Sequence, residues 1–153
     1  MPIIIDTCTF PQILKFNEET SDSFKAVHKW IFESNGLITY GGSKYKAELQ
    51  LAKSYLSIII ELEKKRKVIK LNDDEVDSLY PIIKEKGNCT DFDDEHLVAI
   101  AIISGSTVIC TEDQRAEKFL KNKIFYSKRP APKIIKKTTP VRSTQTLLKK
   151  TQA

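Results

Sequence analysis

DFDDEHLVAIAIISGSTVICTED, residues 91–113, is the stretch that decides the fold of this chain. It opens on a carboxylate cluster, continues as the apolar run Leu97–Ile103 and stops at a glycine. Asp93 or Asp94 suits the N-cap of a helix, and Gly105 suits the left-handed residue that follows one. The β-branched run Thr107–Ile109 then predicts a buried strand. The stretch is therefore predicted to form an acid-capped helix, a glycine turn and a strand that ends at further acids.

Strand and helix patterns alternate on both sides of this unit. The predicted strands are short β-branched or aromatic runs: Ile3–Ile5, Leu37–Tyr40, Val68–Leu71, Thr107–Ile109 and Ile124–Tyr126. Helices are predicted between them, including one capped by Ser21 and one long helix from Ser43 to Lys64. The alternation predicts an α/β fold, a three-layer α/β/α sandwich with a central, mainly parallel sheet of four to five strands. The first run is predicted to be a central strand and the last an edge strand.

Four carboxylates fall at corresponding places in this predicted fold. Asp6 and Asp113 each follow a strand, Glu48 lies early in the helix after the second strand, and Asp94 begins the helix before the fourth strand. In a right-handed parallel sheet these places lie at or near one edge. Crowded carboxylates repel one another, and a divalent cation removes that conflict. All-oxygen ligands favour Mg²⁺ or Mn²⁺, ions that assist phosphodiester cleavage by activating water.

Each of these residues also has a purely structural interpretation. Acidic N-caps and aspartates after strands are common, and Glu48 could be an ordinary surface residue of its helix. Thr7 and Thr111 could form turns or orient metal-bound water. His96 is more often a partly buried structural histidine than a catalytic base.

Taken in order and spacing, four motifs of the chain resemble the PIN-domain family. PIN domains are the nuclease fold of many toxin–antitoxin ribonucleases and RNA-processing enzymes. The motifs are Ile3-Ile4-Ile5-Asp6-Thr7, Glu48 in its helix, Asp94-Glu95-His96-Leu97-Val98-Ala99-Ile100-Ala101, and Val108-Ile109-Cys110-Thr111-Glu112-Asp113. Together they span nearly all of residues 2–126.

The resemblance implies a PIN-like fold and a Mg²⁺- or Mn²⁺-dependent endoribonuclease that leaves a 3′-hydroxyl and a 5′-phosphate. The catalytic and metal-binding quartet would be Asp6, Glu48, Asp94 and Asp113, with Asp91, Asp93, Thr7 and Thr111 in secondary positions. RNA is the implied substrate. A short PIN domain is suggestive of a toxin, so an antitoxin or other regulatory protein and a second copy of the chain are open as partners.

Two departures from the family pattern and two rival functions accompany this prediction. Many relatives have Asn near the position of Cys8, and a thiol holds metal or water less well. The third acid is ambiguous between Asp94 and its neighbours Asp91 and Asp93, although the spacing to the following HLVA favours Asp94.

One rival function is a catalytically silent PIN-like module that binds RNA or protein. The other, a haloacid-dehalogenase-type phosphatase, requires a second Asp where Cys8 stands, and no GxGxxG motif supports dinucleotide binding.

Length and composition limit the class of protein to which this chain can belong. The 153 residues are enough for one domain with a core, and no apolar run approaches a membrane span. The start of the sequence lacks the features of a secretory signal, and three cysteines without metal-ligand spacing suit a reducing compartment, so a cytoplasmic protein is expected.

The charge is unevenly distributed along the chain. The net charge is +5, yet residues 121–153 hold ten Lys or Arg and no acid. The sequence therefore predicts a nuclease-like domain at 1–127 and a flexible, basic tail rich in Pro, Ser, Thr and Lys at 128–153.

Overall fold

Strands and helices alternate along residues 1–87 and 94–152, the part of the chain that the computed structural model describes. The strands are β1 (Ile4–Ile5), β2 (Ile38–Tyr40), β3 (Val68–Lys70), β4 (Val108–Cys110) and β5 (Lys133–Ile135). The helices are α1 (Phe10–Ile13), α2 (Asp22–Glu33), α3 (Ser43–Leu51), α4 (Lys53–Lys64), α5 (Asp73–Gly87), α6 (Glu95–Ser104), α7 (Gln114–Leu120) and α8 (Val141–Gln152). None of these helices in the described ranges is long and apolar enough to span a membrane.

The strands pair in parallel, which confirms the α/β class. They form a three-stranded sheet in the order β1-β4-β5 and a two-stranded sheet of β2 and β3. A parallel bridge between Ile3 and Ile38 connects the two sheets, with hydrogen bonds from Ile3 N to Leu37 O (2.9 Å) and from Thr39 N to Ile3 O (3.0 Å). The strands thus follow one another as β3-β2-β1-β4-β5, with β1 in the middle as its unbroken apolar sequence predicts.

The core lies between these strands and the helices that pack on them. Ile3–Ile5 and Ile109 are fully buried, and so is the apolar run Leu97–Ala101 of α6. Helix α6 ends at Gly105 with a φ of 74°, the left-handed C-cap that the sequence predicts. The predicted Ser21 cap of α2 is also confirmed, since its hydroxyl accepts a hydrogen bond from Phe24 N.

The predicted long helix from Ser43 to Lys64 is two helices. The backbone breaks at Ala52, which has a φ of −103° and a ψ of 58° between α3 and α4. The break lets each half turn a different apolar face to the core, because Leu49 is buried on α3 and Ile59 on α4. Leu51, beside the break, is 89% exposed. The apolar residues of the sequence keep a helical spacing across the break, so their pattern does not show where one helix ends and the next begins.

The predicted last strand at Ile124–Tyr126 is wrong. Residues Lys123–Phe125 form a 3₁₀ helix capped by Asn122, and the Tyr126 hydroxyl donates to Leu120 O at 3.0 Å. The edge strand next to β4 is β5, further along the chain. An apolar triplet can fill the core from a turn as well as from a strand, so residue type alone does not distinguish the two.

The expectation of a flexible tail at 128–153 is also wrong. Lys133 N donates to Thr107 O at 2.8 Å and Thr111 N to Ile135 O at 3.2 Å, so β5 extends the sheet. Helix α8 packs against α2, with Leu148 buried. The physical reason is that burial of Ile134, Ile135 and Leu148 stabilises the folded state of this segment despite its basic charge. In addition, backbone N–H and C=O groups of β5 form hydrogen bonds with the β4 segment in place of hydrogen bonds with water.

Candidate acidic site

Asp6 lies directly after β1, at the edge where the strands end. Its backbone N–H donates to Cys110 O at 2.9 Å, so the ends of β1 and β4 lie side by side. The side chain is 5% exposed, and its Oδ2 accepts a 2.7 Å hydrogen bond from Thr111 Oγ1. Thr9 anchors the backbone by donating from Oγ1 to Asp6 O at 2.7 Å. Adjacent parallel strands therefore hold this buried carboxylate in place, as the sequence predicts.

Asp113 follows β4 on the same edge. Its Oδ1 accepts hydrogen bonds from Arg115 N (2.9 Å) and Ala116 N (3.2 Å), which caps α7. Its own N–H donates to Thr111 Oγ1 at 3.2 Å. The structural interpretation of this residue as a cap is therefore confirmed. Oδ2, which the capping bonds do not use, is the oxygen with which Asp113 could bind a ligand.

Glu48 reaches the site from α3. Thr7 Oγ1 donates to its Oε2 at 3.3 Å, and His96 Nε2 lies 3.2 Å from its Oε1. The two atoms are close but do not have the geometry of a hydrogen bond. Burial would raise the pKa of Glu48, but His96 and the Thr7 hydroxyl outweigh it and lower that pKa. Glu48 is therefore held in its charged form.

Asp94 occupies the N-cap position of α6, but its side chain makes no capping hydrogen bond. Burial of its carboxyl and the negative charge of Asp6 raise its pKa to about 6, with further contributions from Asp113 and Glu48. His96 acts in the opposite direction. Repulsion of this kind requires that the carboxylates lie near one another. Asp94 thus lies within electrostatic reach of the other three predicted acids.

The secondary residues have separate outcomes. Thr7 and Thr111 contact Glu48 and Asp6 as described above, whereas Asp91 and Asp93 lie outside the described residues. The Cys8 Sγ is 4.0 Å from Thr111 Oγ1. Burial and the charge of Asp6 raise the pKa of the Cys8 thiol to about 11, so it stays neutral at physiological pH.

His96 is the residue of this site to which sequence reasoning gives too little weight. It is 1% exposed on α6, and the sequence prediction treats it as structural. Its contact with Glu48 and its effect on Asp94 place it between two of the acids. The signal was its position two residues after Asp94 at the start of a wholly apolar helical run, where a polar side chain needs a partner.

The donor chemistry of the site fits a hard divalent cation. Carboxylate oxygens are the ligands that Mg²⁺ and Mn²⁺ prefer. Burial and the neighbouring negative charge raise the pKa of Asp94, and a cation would compensate that charge. As placed, however, no three His, Cys, Asp or Glu side chains of the described ranges are arranged to hold a metal ion. Oδ2 of Asp6 and Oε1 of Glu48 are instead directed to Thr111 and His96.

No protein-family model, curated protein or solved structure matches the chain significantly. The functional argument therefore depends on the residues of the site and on what they can do chemically.

Proposed function

We propose that this protein is a metal-dependent endoribonuclease of the PIN-domain type. The observation that carries the proposal is the link between two acids through Thr111, whose Oγ1 donates to Asp6 Oδ2 at 2.7 Å and accepts from Asp113 N at 3.2 Å. Beside this pair, burial and the charges of Asp6, Asp113 and Glu48 raise the Asp94 pKa to about 6. Asp6 and Asp113 lie where the parallel strands β1 and β4 end. Glu48 on α3, Asp6 and Asp113 all act electrostatically on Asp94 at the start of α6. A stable fold has no need of such repulsion, whereas a cation-binding site uses it to gain affinity.

The parallel strand order supports the PIN-like, three-layer α/β/α fold that accompanies this proposal. Asp6 and Asp113 follow neighbouring strands, β1 and β4, so they share one carboxyl edge. Open α/β sheets place their ligand sites outside that edge. We propose a cytoplasmic enzyme that acts on RNA, with a toxin paired to an antitoxin as the biological setting.

Asp6, Glu48, Asp94 and Asp113 would hold the ion. With Mg²⁺ or Mn²⁺ bound there, the site would supply charge neutralisation for the scissile phosphate and an activated water, and the expected products would carry a 3′-hydroxyl and a 5′-phosphate. The protein's own contribution is orientation. Thr111 holds the Asp6 carboxylate, Thr7 and His96 hold Glu48, and the α7 cap holds Asp113.

A second candidate is a catalytically silent PIN-like module that binds RNA or protein. The observation that favours it is the arrangement of the side chains, since no three metal-ligand residues within 1–87 and 94–152 are placed to hold an ion. In this candidate the hydrogen bonds from Thr111 and Thr7 and the His96 contact serve only to stabilise buried carboxylates.

One cleavage experiment separates the two candidates. Purified full-length protein is incubated with structured and unstructured RNAs in Mn²⁺ or in EDTA, alongside Asp6→Asn. The endoribonuclease cleaves only with the metal, and Asp6→Asn loses at least about 100-fold in rate, the typical cost of removing one charge-stabilising group. No cleavage by the wild type, or full cleavage by the folded variant, would exclude this metal-site assignment.

A further inference from the structure

The turn after β5, residues 136–139, lies beside the acidic site. β5 pairs with β4 in a register that places Ile135 opposite Cys110, so the residues that follow each strand leave the sheet together. Lys137 N donates to Glu112 Oε1 at 2.5 Å. Lys137 is thereby fixed within one side-chain length of the residue that precedes Asp113.

This turn is held in place by its own hydrogen bonds. Lys136 N donates to Thr139 Oγ1 (2.9 Å), and Thr139 N donates to Lys136 O (3.1 Å). The Lys136 ammonium lies 3.1 Å from Glu117 Oε2 on α7 and is therefore already paired. Lys137 is exposed, and within the described part of the chain no ion pair involves its ammonium group. The turn therefore presents one unpaired cation at a fixed place.

Arg115 supplies a second cation on the same edge. Its side chain is 78% exposed, and Nε lies 4.0 Å from Asp113 Oδ1, at the limit of an ion pair. Asp113 already uses Oδ1 to cap α7, so this contact restrains the guanidinium only weakly. Arg115 on α7 thus lies beside Asp113, and Lys137 after β5 is held beside the preceding residue, Glu112.

We infer that Lys137 and Arg115 form a phosphate-binding edge that holds the backbone of single-stranded RNA beside the acidic site. The inference rests on the proposed function and deepens it by locating the substrate. Four carboxylates repel a polyanion, so binding requires cations close enough to compensate that repulsion. Arginine and lysine bind phosphate oxygens without reading the base sequence, which gives affinity without sequence specificity.

The test measures RNA affinity under conditions in which the RNA is not cleaved. Binding of a fluorescein-labelled 12-nucleotide single-stranded RNA to the full chain is followed by fluorescence anisotropy in EDTA over a series of salt concentrations. Lys137→Ala and Arg115→Ala should each weaken binding about three- to fivefold at low salt, as expected for one exposed ionic contact. Each should also reduce the slope of log Kd against log salt by about 0.7, the release expected for one lost contact with a single strand.

Lys133→Ala is the matched control. Lys133 is likewise an exposed lysine, but it begins β5, whereas Lys137 follows the other end of that strand. We expect Lys133→Ala to bind RNA within a factor of two of wild type. Circular dichroism melts of all three variants check that the fold is retained.

The outcomes separate this inference from the proposed function. Equal losses in Lys133→Ala and Lys137→Ala would indicate diffuse attraction by net charge and would overturn the inference. Unchanged affinity in Lys137→Ala and Arg115→Ala, or no RNA binding by the wild type, would also overturn it. If Lys137→Ala and Arg115→Ala alone lose RNA affinity, but the wild type shows no Mn²⁺-dependent cleavage, the binding edge is supported and the nuclease proposal is rejected. If the wild type cleaves RNA and both variants bind RNA as well as the wild type does, the nuclease proposal is supported and the binding edge is rejected.

Discussion

Thr111 Oγ1 donates a 2.7 Å hydrogen bond to Asp6 Oδ2 and accepts one at 3.2 Å from Asp113 N. One hydroxyl at the end of β4 therefore links two of the four acids of the candidate site. Thr111 is fully buried, and Asp6 is nearly so. A buried carboxylate without a donor is costly, so this hydroxyl offsets part of the cost of burying Asp6.

Replacing Thr111 with Val should destabilise the protein, because the isosteric side chain removes the donor to Asp6. Hydrogen bonds to charged groups contribute about 1.5–3 kcal/mol, and we expect the free energy of unfolding to fall by about 2 kcal/mol. Thr111→Ser keeps the hydroxyl and should lose less. Chemical denaturation measures the difference, with exposed Thr107→Val as the control on the same strand. Equal effects at both threonines would show that the bond to Asp6 contributes nothing.

Metal binding should stabilise the wild type more than Asp113→Asn. An ion that binds only the folded state at 100 times its Kd adds about 2.7 kcal/mol, or roughly 5–10 °C in Tm for a chain of this size. Asparagine can still cap α7, so the variant should remain folded while losing a ligand charge. The measurement is the shift in Tm on adding Mn²⁺, with exposed Glu75→Gln as the control. Shifts of the same size in all three proteins would place the ion elsewhere.

The acids of the site were predictable because their positions depend on local sequence. Ile3–Ile5 and Val108–Cys110 are β-branched or apolar runs that end at acids, and strand pairing then brings Asp6 and Asp113 to one edge. Only strand direction and order are needed to deduce that placement. Strand order does not predict that Asp113 Oδ1 accepts the hydrogen bonds that cap α7, because this contact depends on the rotamer of one side chain.

The segment beyond residue 127 was mispredicted because its composition resembles that of a disordered tail. Prolines and lysines dominate it, yet the triplet Lys133–Ile135 needs only two buried isoleucines to extend the sheet. Whether such a triplet pairs depends on whether β4 has an open edge, which is a property of the whole fold. The same tertiary context explains why Ile124–Tyr126, although more apolar, forms a turn.

Ionisation of Asp94 should reduce the stability of the metal-free protein as the pH rises from about 4 to 6. The ordinary pKa of an aspartate is 3.8, whereas that of Asp94 is raised to about 6 in the folded state by burial and by Asp6. The folded state therefore binds the proton more tightly, and the resulting stability is present below pH 4 and disappears as the pH passes 6.

The variant Asp94→Asn should lack that loss. One pKa unit corresponds to about 1.4 kcal/mol, and partial exposure of Asp94 reduces the effect, so we expect the variant to be more stable at pH 7 by about 1 kcal/mol. Denaturation in EDTA at pH 4, 5, 6 and 7 measures the difference between the two proteins. The lowered pKa of Glu48 acts below its ordinary value of 4.5 in both proteins and largely cancels. A difference that does not grow with pH would contradict the crowding of the acids.

The docking of α8 on α2 can be tested through one buried pair of hydroxyls. Ser23 Oγ and Thr144 Oγ1 are 2.6 Å apart, and both residues are buried. Thr144→Val removes one partner and leaves the Ser23 hydroxyl in an apolar contact, which should cost about 1–3 kcal/mol. In Ser23→Ala combined with Thr144→Val, neither group remains unsatisfied, so the double variant should be less destabilised than the sum of the single variants, with a coupling of about 1 kcal/mol.

Thr146→Val is the control for this cycle, since Thr146 is exposed on α8 and its hydroxyl bonds only within the helix, to Arg142 O. It should change the free energy of unfolding by no more than about 0.5 kcal/mol. The cycle is measured by chemical denaturation of the full chain. If residues 128–152 were a mobile tail, Thr144→Val would be as neutral as Thr146→Val and the coupling would vanish. A coupling well above zero requires that α8 is docked on α2 as part of the cooperative fold.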